Sequence, residues 1–132
     1  MTPKLLPLIA AIGLVGGLAA PAIASVGTTG ARAETTVTIR TQNGEFWGYL
    51  TSPRPKQCAD GRKVTLYKQV GSAQDPSVDQ KMASDISSLS GSRYKWSTGT
   101  TGLRHGRFYA RVTRTPLCKG DTSDTVRASS TT

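Results

Sequence analysis

Apolar and polar positions alternate along most of the chain after about residue 35. Val64 and Leu66 alternate with Lys63 and Thr65, for example, and Phe108 begins a similar run near the C-terminus. A period of two places successive side chains on opposite faces of a β-strand. The clearest runs, rich in β-branched and aromatic residues, cover residues 36–40, 46–51, 63–70, 93–97 and 107–113. They predict half-buried strands, and residues 125–128 predict a shorter one.

One further segment fits two kinds of structure. Residues 81–86 alternate weakly, but Met82, Ala83 and Ile86 also fit one turn of a helix. Between the runs lie residue pairs typical of turns, such as Asn43-Gly44 and Asp60-Gly61. Six or seven short strands joined by such turns predict an all-β chain. We expect a single antiparallel β-sandwich of immunoglobulin or prealbumin type.

The N-terminal segment has a different composition from the rest of the chain. Lys4 precedes an apolar run over residues 5–20, which is too short for a membrane-spanning helix. Small-x-small motifs follow at 22–24 and 31–33, so residues 1–33 are predicted to be a signal peptide. Cleavage after Ala33 is favoured and cleavage after Ala24 is the alternative, which leaves 34–132 as the domain. We therefore expect a secreted, extracellular protein without an integral membrane span.

The chain has two cysteines, Cys58 and Cys118. In an oxidising compartment such a pair predicts one structural disulfide, here closing a loop of about 60 residues. Both cysteines fall on connections outside the central strands, so the bridge is expected at one end of the sandwich. No residue pattern supplies the base that a catalytic cysteine would need.

A series of short motifs resembles the prealbumin-like β-sandwiches, including the carboxypeptidase-regulatory-like and collagen-binding B-type modules. The motifs are Phe46, Gly48, Asp60-Gly61, Val64-Thr65-Leu66, Asp85, Gly91, Tyr94, Trp96 and Gly106-Arg107-Phe108-Tyr109-Ala110-Arg111-Val112. The resemblance covers about residues 45–113 and implies a non-catalytic stalk, spacer or recognition module. The segment around Cys58 and the extension with Cys118 depart from that family, and resemble small secreted actinobacterial proteins whose role is unassigned.

Candidate catalytic chemistry is sparse. His105 is the only histidine, and histidine is the side chain whose ordinary pKa suits a base near neutrality. With Glu45 and an arginine it could supply the residue types of a small secreted hydrolase of ribonuclease-like or other kind, which is the alternative function. The hydroxyisourate hydrolases, an enzymatic prealbumin-like branch, use paired histidines and a C-terminal Tyr-Arg-Gly-Ser motif that this chain lacks. No zinc or calcium spacing is present, so we expect no metal, no cofactor and no enzymatic activity.

Charge gives the strongest indication of function. The chain carries a net charge of +9, and removal of residues 1–33 leaves 15 of the 17 basic side chains against 8 acidic ones, a net charge of +7. Strand alternation places seven candidate binding residues on outer positions: Lys63, Tyr67, Arg93, Lys95, Arg107, Tyr109 and Arg111. If their strands are neighbours, these residues form one basic sheet face, which would attract polyanions.

This basic face predicts a binding or structural role at the cell envelope. The expected partner is an anionic cell-wall polymer or polysaccharide, or an anionic surface. Nucleic acid is disfavoured, because two tyrosines are few for base stacking. The alternative is that the cations only solvate the sheet. Trp47 and Tyr49 also fall on outer positions, where Trp47 could stack on a sugar ring or lie under a loop or in a subunit contact. The oligomeric state is left open.

Overall fold

The computed structural model describes residues 31–129. They form ten strands and one single-turn helix: β1 Thr36–Val37, β2 Arg40–Gln42, β3 Glu45–Thr51, α1 Pro55–Cys58, β4 Lys63–Lys68, β5 Gln80–Ile86, β6 Ser88–Ser90, β7 Arg93–Thr100, β8 Gly106–Val112, β9 Asp121–Thr122 and β10 Val126–Ala128. The predicted apolar leader and its Ala24 cleavage site lie outside the described residues. No helix between residues 31 and 129 has the length and apolar character needed to cross a membrane.

The strands form two antiparallel sheets of five strands each. In sheet one, β1 and β2 both pair with β3, and the order continues through β7 to β6. In sheet two the order is β10, β8, β4, β5, and β9 also pairs with β8. The expectation of mostly antiparallel β-structure in two sheets is therefore confirmed.

One apolar core is shared by the two sheets. Alternate residues of β3 and β7 in sheet one and of β4 and β8 in sheet two are almost fully buried: Phe46, Leu50, Trp96, Val64, Leu66, Phe108, Ala110 and Val112. The rings of Phe46 and Phe108 lie 4.7 Å apart, centroid to centroid, so the sheets contact each other directly. The residues that alternate with these core positions lie on the outer faces of the sheets.

The predicted disulfide is confirmed. Cys58 and Cys118 are bonded, with their Cα atoms 5.5 Å apart. Beside this disulfide, the buried guanidinium of Arg62 donates hydrogen bonds to the carbonyl oxygens of Cys58, Thr113 and Lys119, at 2.8, 2.7 and 3.3 Å. Burial lowers the pKa of Arg62. The arginine thus joins the chain on both sides of the disulfide and fixes this end of the domain.

The strands agree with the alternation pattern where the runs are long. The run 81–86 proves to be a strand, β5, and the runs 46–51, 63–70, 93–97 and 107–113 match β3, β4, β7 and β8 to within a few residues. Ten strands in the described residues exceed the six or seven predicted. Two of the extra strands, β6 and β9, are two or three residues long and too short to show a period. The third arises from the division of the predicted strand 36–40, and α1 is a single turn.

The predicted strand 36–40 is divided into β1 and β2, for a specific reason. The carbonyl oxygen of Thr38 turns inward and accepts a hydrogen bond of 2.9 Å from the Trp96 indole N–H. The hydroxyl of Thr38 takes its place in the sheet by accepting a 3.0 Å bond from the Tyr49 N–H. Gly48 permits this arrangement, because a Cβ at that position would lie 1.8 Å from the Thr38 oxygen.

Candidate functional site: an aromatic and basic sheet face

The outer face of sheet one carries two partly exposed aromatic side chains. Trp47 and Tyr49 alternate along β3 with the buried residues Phe46, Gly48 and Leu50, so both rings point outward. Because Trp47 and Tyr49 are two positions apart on one strand, they lie about 7 Å apart on the same face.

Cations flank both aromatic rings. Arg40 on β2 lies directly opposite Trp47, and Lys95 on β7 lies directly opposite Tyr49. Residues directly opposite on neighbouring strands share a face, so Arg40 lies next to Trp47 and Lys95 next to Tyr49. We call Arg40, Trp47, Tyr49, Arg93 and Lys95 the aromatic–basic face.

Arg93 is held in place by an aromatic ring. Its guanidinium carbon lies 3.6 Å from the centroid of the Tyr49 ring, which is a cation–π contact. In the part of the chain that the structure describes, the only ion pair joins Lys119 and Glu34, so no carboxylate there lies within 4.0 Å of the Arg93 or Lys95 nitrogens. The stacked guanidinium therefore presents N–H donors at the surface that no described carboxylate neutralises.

A shallow cavity of about 300 Å³ lies beside Trp47. Its lining residues are Glu45, Trp47, Lys95 and Ser97. The cavity therefore combines one aromatic ring with a carboxylate, an ammonium group and a hydroxyl. Such a combination can stack a flat apolar surface while exchanging hydrogen bonds with polar groups at its edge.

The other predicted binding residues lie in sheet two. Strands β4 and β8 are neighbours and place Tyr67 opposite Tyr109. Strand β7, however, belongs to sheet one. Arg93 and Lys95 therefore do not share a face with Lys63, Arg107 and Arg111, and the five cations are divided between two sheets.

The expectation that Tyr67 and Tyr109 face solvent is wrong. They are 4% and 0% exposed and stack on each other with ring centroids 5.2 Å apart. The loop between β4 and β5 is bonded over them, since the Tyr109 hydroxyl donates to Asp79 Oδ2 at 2.5 Å. Asp79 also accepts hydrogen bonds from the backbone N–H groups of Val70 and Asp75.

The ionisation of this pair follows from the same contacts. Desolvation raises the pKa of Asp79, but the hydrogen bonds that it accepts outweigh this effect and lower the pKa below its usual value. Burial, followed by the hydrogen bond to the Asp79 carboxylate, raises the pKa of Tyr109. The two tyrosines therefore support a loop and do not form a binding surface.

The cations of sheet two are less available than those of sheet one. Arg107 is half-buried, donates a 2.9 Å hydrogen bond to the carbonyl oxygen of Gly71, and lies opposite Arg127 on β10. Arg111 is half-buried opposite Thr122, whereas Lys63 is exposed. The Arg107 guanidinium is thus bonded to the loop that covers this face.

The two candidate catalytic residues, His105 and Glu45, lie in different surroundings. His105 is exposed in the turn before β8, and the cavity beside Glu45 does not include it. Within residues 31–129, no hydrogen bond joins the His105 side chain to Glu45, and no cluster of three or more His, Cys, Asp or Glu side chains could hold a metal ion. Both cysteines are bonded to each other.

Arg40 is a residue of this face that is not among the seven candidate binding residues predicted from the sequence. The alternation of residues 36–40 could have found it, because Arg40 falls on the side of the strand away from Val37 and Ile39, which are buried. Alternation predicts that Trp47 and Tyr49 point outward, but their proximity to Arg93 and Lys95 depends on the pairing of β3 with β7.

Comparison with known proteins adds no relative. The chain matches no protein-family model, no curated protein and no solved structure. Its function must be inferred from the residues on the two outer faces.

Proposed function

We propose that this protein is a secreted, non-catalytic binding or structural module of the cell envelope that contacts an anionic polymer through its aromatic–basic face. The observation that carries the proposal is the arrangement of Arg40, Arg93 and Lys95 around two partly exposed rings, Trp47 and Tyr49. Two of its cations, Arg93 and Lys95, are among the candidates predicted from the sequence. Its aromatic residues lie on β3 and not, as predicted, on sheet two.

The fold supports such a role. Two five-stranded antiparallel sheets around one core suit a β-sandwich of prealbumin-like type, a fold that presents broad, rigid sheet faces. The Cys58–Cys118 disulfide is consistent with an oxidising, extracellular setting. A rigid face favours binding, because little side-chain and backbone order must be gained when a ligand is bound.

The charge of the chain supports an anionic partner. The net charge of +7 that remains after removal of residues 1–33 gives a positive field that attracts polyanions over a distance of about one Debye length, roughly 8–10 Å at ordinary salt. Within that field, the uncompensated cations on the aromatic–basic face are the ones placed beside exposed rings. Binding should therefore weaken as salt is raised.

Salt-dependent retention tests this proposal with a matched pair of variants. The purified protein is applied to an immobilised anionic polysaccharide and eluted with a salt gradient. The double variant Arg93→Gln with Lys95→Gln should elute earlier, with an affinity at least about tenfold weaker, which corresponds to about 1.4 kcal/mol. The variant Lys63→Gln with Arg127→Gln removes the same charge from sheet two and should change the affinity by less than about threefold, or roughly 0.6 kcal/mol.

Equal weakening by the two double variants would show that only net charge matters and would overturn the assignment to sheet one. Retention that is insensitive to salt would contradict the electrostatic contact altogether. Replacing His105 by Ala should leave retention unchanged, and a hydrolytic activity that depends on His105 would favour the enzymatic alternative.

A further inference from the structure

We infer that the aromatic–basic face recognises an acidic polysaccharide in which a uronic acid alternates with an uncharged sugar. This inference rests on the proposed function and adds the chemical class of the polymer. It follows from the distribution of charge along β3.

The outward positions of β3 form a graded row. Glu45, Trp47 and Tyr49 follow one another on the same side of the strand, about 7 Å apart, so the row is about 13 Å long. Glu45 stands at one end of the row, and the Trp47 indole stands in the middle with Arg40 opposite it on β2. At the other end the Tyr49 ring carries the stacked Arg93, and Lys95 lies opposite Tyr49 and reaches the cavity beside Trp47. The negative charge of the row is therefore confined to the Glu45 end, and a matching ligand keeps its own negative charge away from that end.

The middle of the row suits a sugar ring. Trp47 forms part of the wall of the 300 Å³ cavity, and the C–H face of a pyranose is apolar enough to pack on an indole ring. Glu45 and Ser97 line the same cavity and offer oxygen atoms that can accept hydrogen bonds from hydroxyl groups, and the Lys95 ammonium group can donate one to a hydroxyl oxygen. An uncharged sugar meets both requirements, because it carries hydroxyls around its edge and no negative charge near Glu45.

The basic end of the row suits a carboxylate. The stacked guanidinium of Arg93 is planar and has paired N–H donors, which match the two oxygens of a carboxylate. Lys95 lies beside the same tyrosine and adds a second positive charge. The sugar that follows the one on Trp47 would place its carboxylate here.

Polymers that are charged at every unit fit this row less well. A nucleic acid or a polyphosphate carries a phosphate on each unit, and a polymer of uronic acid alone carries a carboxylate on each ring. Each would bring a negative charge next to Glu45, where like charges repel. The alternating polymer avoids this repulsion, so Glu45 is a specificity-determining residue of the face.

Tryptophan fluorescence gives a direct readout of this site. The chain has two tryptophans, and Trp96 is fully buried whereas Trp47 is partly exposed. A change in emission on binding therefore reports on Trp47. The purified protein would be titrated at constant ionic strength with hyaluronan oligosaccharides, which alternate, with oligogalacturonate of the same length, and with a single-stranded oligonucleotide.

We expect hyaluronan oligosaccharides to bind with a Kd at least about tenfold lower than either of the other probes, a difference of about 1.4 kcal/mol. Arg93→Lys keeps the charge but loses the paired donors, and should remove most of this preference. Arg127→Lys, the same exchange on sheet two, should leave it unchanged. Glu45→Gln should strengthen the binding of oligogalacturonate, and Trp47→Phe should abolish the emission change.

The outcomes separate the two proposals. If all three probes bind with similar Kd values and Arg93→Lys has no effect, the polymer class is wrong while the anionic-polymer contact stands. A preference for the oligonucleotide or for oligogalacturonate also overturns the polymer class. If none of the probes binds even at low salt, both proposals fail.

Discussion

Replacing Gly48 by Ala tests the contact that joins the core to the aromatic–basic face. A Cβ at this position would lie 1.8 Å from the Thr38 carbonyl oxygen and 2.8 Å from the Trp96 indole nitrogen. These two atoms are hydrogen-bonded to each other at 2.9 Å. Gly48 has no positive φ, so the added methyl group acts by steric exclusion and not by backbone strain.

The magnitude follows from two effects. The methyl group can be accommodated only if the backbone at Thr38 moves, which costs about 1–3 kcal/mol for an overpacked interior. That movement breaks the bond to Trp96 and leaves its buried N–H without an acceptor, a further cost of about 1–3 kcal/mol. The free energy of unfolding should therefore fall by about 2–6 kcal/mol, out of a typical total of roughly 5–15 kcal/mol.

Urea unfolding, followed by tryptophan fluorescence and circular dichroism, measures this loss. Gly71→Ala is the matched control, because no atom lies within 4 Å of its added Cβ and its φ is not positive. We expect the control to differ from the wild type by less than about 0.5 kcal/mol. If Gly48→Ala is also within about 1 kcal/mol of the wild type, the close packing of Thr38 against β3 is refuted.

Three further predictions concern the disulfide, the buried carboxylate and the N-terminus. Replacing Cys58 and Cys118 by Ala should lower the free energy of unfolding by about 4 kcal/mol, since the loop spans 60 positions, and a loss below about 1 kcal/mol in urea unfolding would contradict this. The lowered pKa of Asp79 stabilises the fold above the ordinary carboxyl pKa, so the free energy of unfolding should fall as the pH drops below about 4. Asp79→Asn should reduce this loss of stability at acid pH, and an unchanged pH dependence would show that other groups cause it. Ala33 exchanges backbone hydrogen bonds with Leu117 and Lys119, so protein starting at Glu34 should be about 1–3 kcal/mol less stable than protein starting at Ser25, and equal melting curves would refute this.

The alternation of apolar residues is sufficient to predict four of the five long strands, β3, β4, β7 and β8, whereas for β5 it leaves a strand and a helical turn open. In the run 107–113, for example, alternation places Phe108, Ala110 and Val112 on one side of the strand, and all three are buried. This succeeds because the period of a strand is a local property of the chain. Short strands such as β6 and β9 have no measurable period, and they exist only because a longer neighbour provides a hydrogen-bonding edge.

Burial of the outward tyrosines could not be predicted from alternation. The pattern correctly places Tyr67 and Tyr109 on one side of sheet two, but it does not show whether another segment covers that side. The covering loop is held by Asp79, whose carboxylate accepts hydrogen bonds from Tyr109 and from two backbone N–H groups. Asp79 lies twelve residues after Tyr67 and thirty before Tyr109, and nothing in the sequence indicates that these residues contact one another.

The composition of each surface depends on which strands become neighbours. Local alternation predicts that Arg93 and Lys95 point outward, but the pairing of β7 with β3 decides that they meet Trp47 and Tyr49 and not the cations of β8. That pairing joins segments more than forty residues apart, so no local pattern records it. The same set of outward cations that would have formed one broad basic face is instead divided in two. Only the half that lies in sheet one acquires exposed aromatic rings, and this is why the proposed polymer contact lies there.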